Sequence, residues 1–250
     1  MTGTGPDAAY FDAWYADMQA DPGKDEIQRR HLGLPPELLS TSLLNWDGIA
    51  EVTAALRLSP GATVLDLACG RGGYGTEVAR RRGSRLVGVD FSAAALQQAS
   101  ALSRSLGGRF VVGRLEATGL RDRAVDSVMC VDAIQFADPP HAAYDEMLRV
   151  LKPGGRVVLT CWEAVDADDD VPPRLRTVRM RNDLACAGFT EIEVRDRPDW
   201  RAAERAMWEE AAALDPKGDP ALRSFHDEGV RSLATFGSLR RRMATATAPV

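Results

Sequence analysis

Two carboxylates and a run of glycines carry most of the chemistry legible in this chain. TVLDLACGRGGYG, residues 63–75, reads as a strand entering a glycine-rich turn and then a helix. Gly70, Gly72 and Gly75 satisfy G-x-G-x-x-G, and Asp90 follows Gly70 by 20 residues at the end of the next β-rich run. That spacing is the fingerprint of a phosphate-cradling dinucleotide site, in which the acid holds a ribose. Asp66 argues otherwise. A carboxylate just before the turn repels a pyrophosphate at the helix N-terminus, whereas a cofactor bearing an ammonium and a sulfonium welcomes it. The glycine pattern alone leaves both ligands open, and Asp66 favours the cation.

Proton-transfer groups are scarce. His31, His141 and His226 are the only histidines, which does not support a histidine-based metal centre, and no metal is expected. Cys69, Cys130, Cys161 and Cys186 form no C-x-x-C pair and read as reduced thiols of a cytoplasmic protein. With 36 acidic against 31 basic residues the net charge is −5, the wrong sign for a nucleic-acid footprint. No run approaches the length of a membrane span, and the N-terminus lacks the pattern of a secretory signal. A small-molecule partner is expected, with neither nucleic acid nor membrane; the oligomeric state stays open, a homodimer included.

The elements that position these residues alternate between strand and helix. Strands are expected at Thr63–Leu67, Arg85–Val89, Arg109–Val112, Asp126–Val131, Arg156–Thr160 and Glu191–Val194, and helices at Gly75–Arg82, Ser92–Leu106, His141–Leu151 and Arg174–Ala187. Ser92 is placed to cap its helix. The prolines of ADPPH, residues 137–141, start the next one, and LKPGG closes it. The acidic loop EAVDADDDVPP reads as a solvated connection. This is an α/β fold, a mostly parallel sheet covered by helices. Residues 1–58 read as an N-terminal helical cap, with an aromatic cluster at Tyr10, Phe11, Trp14 and Tyr15 and an amphipathic helix near 43–56. Residues 59–250 form the main domain, with a helical insertion at about 198–238 before a final β-like run, RRMATATA.

In order and spacing, VLDLACGRGG, VGVDFS, DSVMCVDAIQF and EMLRVLKPGGRVVL resemble the class I S-adenosylmethionine-dependent methyltransferases. The resemblance is firm over residues 60–165. It implies a Rossmann-like, seven-stranded, mostly parallel sheet whose last strand is antiparallel, and S-adenosylmethionine as cofactor. It places Asp66, Ala68, Cys69, Gly70 and Gly72 along the methionine part, Asp90 on the ribose hydroxyls, and Phe91 on the adenine face. Leu115 offers a backbone N–H to the ring and Glu116 an acceptor, while Arg114 stands where the family often has an acid. Val131 and Asp132 close the cofactor's side of the pocket. Ala68 replaces a family glycine, which a methyl group tolerates if φ stays negative.

The segment after VMCV then faces the transferable methyl, with Gln135 and Phe136 toward the acceptor. Gln135 cannot take a proton where relatives often carry histidine, which leaves His141 as the candidate base. Trp14, Tyr15 and Trp200, with Met207 or Trp208, are expected to wall the acceptor pocket. The implied activity is methyl transfer to O, N or C of a small organic molecule. An NAD-dependent oxidoreductase is the alternative enzyme, disfavoured by Asp66 and LKPGG, and a non-catalytic S-adenosylmethionine-binding protein is the alternative outside enzymes.

Overall fold

The computed structural model describes residues 11–16, 23–39, 41–166, 170–216 and 218–250. Tyr10 and the centre of the acidic loop, 167–169, lie outside them. The described chain opens with a helical stretch, 11–16 (α1), followed by α2 (Gly23–Leu32) and α3 (Trp46–Ala55). Then come β1 (Thr63–Leu67), α4 (Gly73–Arg82), β2 (Arg85–Asp90), α5 (Ala93–Leu102), β3 (Arg109–Val112), β4 (Val125–Val131), α6 (Pro140–Val150) and β5 (Leu151–Ala164). The chain continues through α7 (Pro173–Arg176), α8 (Met180–Cys186), β6 (Thr190–Asp196), α9 (Pro198–Ala213), α10 (Pro220–Ala234) and β7 (Leu239–Thr247).

The strands form one seven-stranded sheet in the order β3-β2-β1-β4-β5-β7-β6. β1 runs parallel to β2 and β4, and β7 runs antiparallel to both β5 and β6. Strand order reverses between β1 and β4, so the crevice at their carboxyl ends is where ligands sit in open α/β sheets. Four of the five β1 residues are buried, as expected of a strand covered on both faces.

Strand periodicity divides these residues between two cores. Leu65, Leu67, Val128, Cys130, Val157 and Leu159 pack beneath α6 and α8 with Tyr144, Met147 and Leu184. Val64, Met129, Val131, Val158 and Met243 face the other way, onto Ile49 and Val52 of α3, Val78 of α4, and Trp200 and Trp208 of α9. Asp66, Thr160 and Arg241 share that second face by the same alternation. This register decides which polar groups meet at the carboxyl edge.

Local chemistry sets the helix ends. Ser92 Oγ accepts from the Ala95 N–H at 3.1 Å, Asn45 Oδ1 from Gly48 N at 2.8 Å, and Pro140 occupies the first turn of α6. Two expected helices are shorter than their sequence pattern. The 174–187 stretch divides into α7 and α8, because Asp183 turns back to accept from the Arg179 N–H at 3.0 Å and Glu163 takes the Met180 N–H at 2.8 Å. The 92–106 stretch ends its α-helix at Leu102 and tightens into a 3-10 turn over Arg104–Leu106.

Candidate functional site

The loop leaving β1 alternates its backbone. Ala68, Gly70 and Gly72 have φ of 58°, 51° and 74°, all left-handed. The expectation of a negative φ at Ala68 is therefore wrong, and an L-residue in this conformation costs about 1–2 kcal/mol. The loop stays in place because its N–H groups are used. Cys69 N donates to Val89 O at 3.0 Å, Gly72 N to Cys69 O at 2.9 Å, and Gly70 N to Asp90 Oδ2 at 2.8 Å. The other Asp90 oxygen accepts from Ser92 N at 2.9 Å. Below the loop, Asp66 Oδ2 accepts from Gly75 N at 3.1 Å, and a Cβ on Gly75 would stand 2.5 Å from that oxygen.

Both acids are buried and, among the described residues, neither has a Lys or Arg partner. Burial pushes Asp66 up to about 7, against the pull of the Gly75 N–H, and the charge of Asp90 adds to the rise. Burial also raises Asp90, opposed by the N–H groups of Ser92, Gly70 and Phe91. The one cation in the loop, Arg71, turns away: its Nη1 donates to both Asp25 oxygens on α2, at 2.9 and 2.7 Å, and its Nε to Gln98 Oε1 at 3.0 Å. The site is thus left electronegative. Burial raises the Cys69 thiol well above its ordinary value, so it is no nucleophile here.

Helix α1 lies over the loop. Asp12 Oδ1 accepts from the Ser92 hydroxyl and from Ala94 N, the latter at 3.3 Å, and Gln98 Nε2 donates to the Tyr15 carbonyl at 3.3 Å. The Tyr15 hydroxyl sits 2.8 Å from where a Cβ on Gly70 would be. Tyr15, expected at the acceptor, therefore stands on the glycine loop. Phe11 meets Phe91 edge-on at 5.2 Å, Trp14 at 5.9 Å and Phe136 at 6.2 Å, forming an aromatic roof. The Lys24 ammonium lies 4.4 Å over Trp14.

The structure gathers Asp66, Ala68, Cys69, Gly70, Gly72, Asp90 and Phe91 around one loop, with Trp14, Tyr15 and Phe136 at the roof. Leu115 is buried beside them, next to the Arg114–Ala117 backbone bridge. Glu116 is committed elsewhere: its Oε1 accepts from Asp138 N at 2.7 Å, tying down the segment before α6.

Beyond β4 the expectations need correction. Val131 ends the strand buried, its carbonyl accepting from Ser42 Oγ at 3.2 Å. Asp132 has no carboxylate oxygen free for a ligand: Leu43 N donates at 2.9 Å, Thr160 Oγ1 at 2.6 Å, and both Arg241 Nη atoms complete the set. Gln135 turns back onto the protein, its Nε2 donating to Asp132 O at 2.8 Å and its Oε1 accepting from Cys161 Sγ at 3.2 Å. Phe136 remains 40% exposed, with the Arg174 guanidinium 5.2 Å from its ring. Trp200 is fully buried, donating to Glu51 Oε1 on α3 at 3.2 Å, and packs α9 onto the sheet rather than lining a pocket. His141 is exposed on the first turn of α6, without a hydrogen bond to the loop, the roof or Gln135 among the described residues.

Sequence reasoning missed Asp12, Asp25, Arg241 and Glu204. An arginine inside a glycine loop was a usable signal for a buried acid opposite it. Arg241 had none, since RRR at 240–242 does not say which arginine points inward.

Residues 65–159 match the family profile described as a methyltransferase domain. Squalene methyltransferase 1 of Botryococcus braunii is 30% identical over 162 residues, covering 63% of this chain and 41% of that protein. Methyltransferase phqN of Penicillium fellutanum is 28% identical over 225 residues, 84% of this chain and 67% of that one. The chain thus spans less than half the length of the first and two thirds of the second. A Haemonchus contortus phosphoethanolamine N-methyltransferase 2, solved with phosphomonomethylethanolamine and S-adenosylhomocysteine, superposes with a TM-score of 0.73 at 17% identity. That alignment covers 95% of this chain and 60% of the other, and shows the fold.

Proposed function

We propose that this chain is a class I S-adenosylmethionine-dependent methyltransferase and transfers a methyl group from S-adenosylmethionine to O, N or C of a small, largely apolar organic acceptor. One observation carries the reading: two buried acids, Asp66 and Asp90, flank a left-handed loop with no cationic partner among the described residues, while Arg71 is drawn off to Asp25. A cationic cofactor complements that field, and the pyrophosphate of NAD opposes it. Ala68, Cys69, Gly70 and Gly72 would hold the methionine part above Asp66, Asp90 the ribose, and Phe91 with the Leu115 backbone the adenine. The cofactor supplies an activated methyl on a sulfonium. The chain's own work is to orient the acceptor and exclude water, and the roof of Phe11, Trp14 and Phe136 suits both tasks. The same roof and the squalene methyltransferase relative support an apolar acceptor. Among the described residues no helix is long and apolar enough to cross a membrane; four free cysteines support a cytoplasmic setting.

Thermal-shift titration with S-adenosylmethionine, S-adenosylhomocysteine and NAD tests the reading. The first two are expected to stabilise, by about 2.7 kcal/mol at roughly 100 times the dissociation constant, and NAD to do nothing. Stabilisation by NAD alone overturns the proposal. Labelled methyl transfer to a panel of apolar phenols, amines and alkenes then identifies the acceptor atom; binding without transfer to any cell extract would leave a cofactor-binding protein.

A further inference from the structure

Asp132 occupies the position from which a carboxylate reaches a ligand at the carboxyl edge of β4, yet it is spent internally. Its backbone is left-handed, with φ of 58°, and its four contacts come from three directions: Leu43 N from the N-terminal segment, Thr160 Oγ1 from β5, and the two Nη atoms of Arg241 from β7. Arg241 is itself 1% exposed. β7 pairs antiparallel with β5 so that Arg241 stands opposite Trp162, and its guanidinium lies 4.1 Å from that ring and 5.6 Å from Trp200. Its remaining nitrogen, Nε, is 2.7 Å from Glu204 Oε1 on α9, an ionic contact too oblique for a hydrogen bond. Glu204 is fully buried and its other oxygen accepts from Trp162 Nε1 at 2.9 Å.

One guanidinium therefore joins Asp132, on the segment after β4, to a helix of the insertion between β6 and β7, and Asp132 in turn holds the Leu43 N–H of the chain entering α3. A buried pair of charges is weak support for stability as such, since an apolar set of equal volume packs as well; its better-attested use is to fix one register. Here the register concerns Gln135 and Phe136, which stand on the segment that Asp132 begins, with Gln135 Nε2 bonded to the Asp132 carbonyl.

We propose that Arg241 is a positioning residue: by clamping Asp132 to Glu204 it holds the acceptor-facing segment 132–136, the N-terminal segment at Leu43 and helix α9 as one unit. The clamp rests on the methyl-transfer reading only for what the segment faces; the mechanical coupling stands apart from it. Loss of the clamp frees the segment and α9 together, and leaves the glycine loop, which Asp66 and Asp90 hold, as it was.

Hydrogen exchange on the full chain, with saturating S-adenosylhomocysteine, separates the cases. In R241M, residues 41–44, 132–136 and 198–213 are expected to exchange at least about tenfold faster, with β1 and β2 unchanged. R241K puts one point charge where a fork stood; it is expected to restore 41–44 and 132–136 while 198–213 stays fast. Acceleration confined to a single segment, or spread evenly into β1 and β2, overturns the clamp, as does an R241K protein protected like the parent throughout. Should R241M fail to fold because Asp132 is left buried without its partner, E204Q decides: it is expected to loosen 198–213 alone, and an unchanged α9 overturns the proposal. A parent protein that S-adenosylhomocysteine does not stabilise would sink the methyltransferase reading without touching the coupling.

Discussion

Ala68 sits at φ 58°, where glycine is the unstrained residue. Ala68→Gly relieves a conformational cost of about 1–2 kcal/mol and adds about 0.4–1 kcal/mol of unfolded-chain entropy. The expected result is a protein as stable as the parent or up to about 1 kcal/mol more so, measured by urea unfolding at unchanged m-value. A clear loss would mean that the methyl packs better than its backbone suffers. Asp90 makes the opposite case. Its oxygens hold Gly70 N and Ser92 N, at 2.8 and 2.9 Å, so Asp90→Ala strands two buried donors as well as any ribose hydroxyl. Affinity for S-adenosylhomocysteine is expected to fall by about 1–3 kcal/mol, read by calorimetry, with Asp90→Asn retaining part of it. An Asp90→Ala protein binding as tightly as the parent would place the ribose elsewhere.

At the scale of elements, the cap and α5 share one hydroxyl. Ser92 Oγ accepts from Ala95 N at 3.1 Å and donates to Asp12, so Ser92→Ala removes an N-cap, about 1 kcal/mol, and one polar anchor of α1. Chymotrypsin is expected to cut faster at Phe11, Trp14 and Tyr15, with S-adenosylhomocysteine slowing cleavage in parent and variant alike; equal cleavage of both empty proteins would show that the aromatic roof and the Gln98–Tyr15 bond hold α1 without Ser92. Strands were the most legible elements. Thr63–Leu67 and Arg109–Val112 end where the sequence pattern ends, the second because Gly108 and Gly113 bound it directly and the first because Gly61 and the Gly70 loop lie just beyond its ends. Helix 174–187 was misread because its break depends on Glu163, a residue from β5. The loop acids were legible since they lie within 24 residues of the glycines they serve. The clamp was not: Arg241 and Asp132 are 109 residues apart, and no local pattern marks a pair that only the β5–β7 register brings together.

Over the whole molecule, two buried acids give stability an unusual pH slope. Burial pushes both Asp66 and Glu204 up to about 7, from ordinary values of 3.8 and 4.5, and Asp90 and Asp183 rise in the same sense. Between about pH 4 and 7 the folded chain thus holds protons that the unfolded chain has released, so stability falls as pH rises through that window. Glu77, Asp126, Glu146 and Glu210 are held low by hydrogen bonds and charges of Arg, Lys or His partners; their contribution grows with pH but is complete by about pH 5. The empty protein is therefore expected to be less stable at pH 8 than at pH 5.5, by at least about 1 kcal/mol, in urea titrations at constant ionic strength. Asp66→Asn combined with Glu204→Gln flattens that slope, since neither amide ionises. A cationic ligand beside Asp66 reverses its part of the effect: it favours the carboxylate, so binding near pH 6.5 releases a proton. Stabilisation by S-adenosylmethionine, which carries the sulfonium, should then be larger at pH 8 than at pH 5.5 in the parent and lose that difference in Asp66→Asn. A parent whose ligand stabilisation is independent of pH would separate Asp66 from the cofactor's charge and leave it as the buried acid that seats α4 on β1.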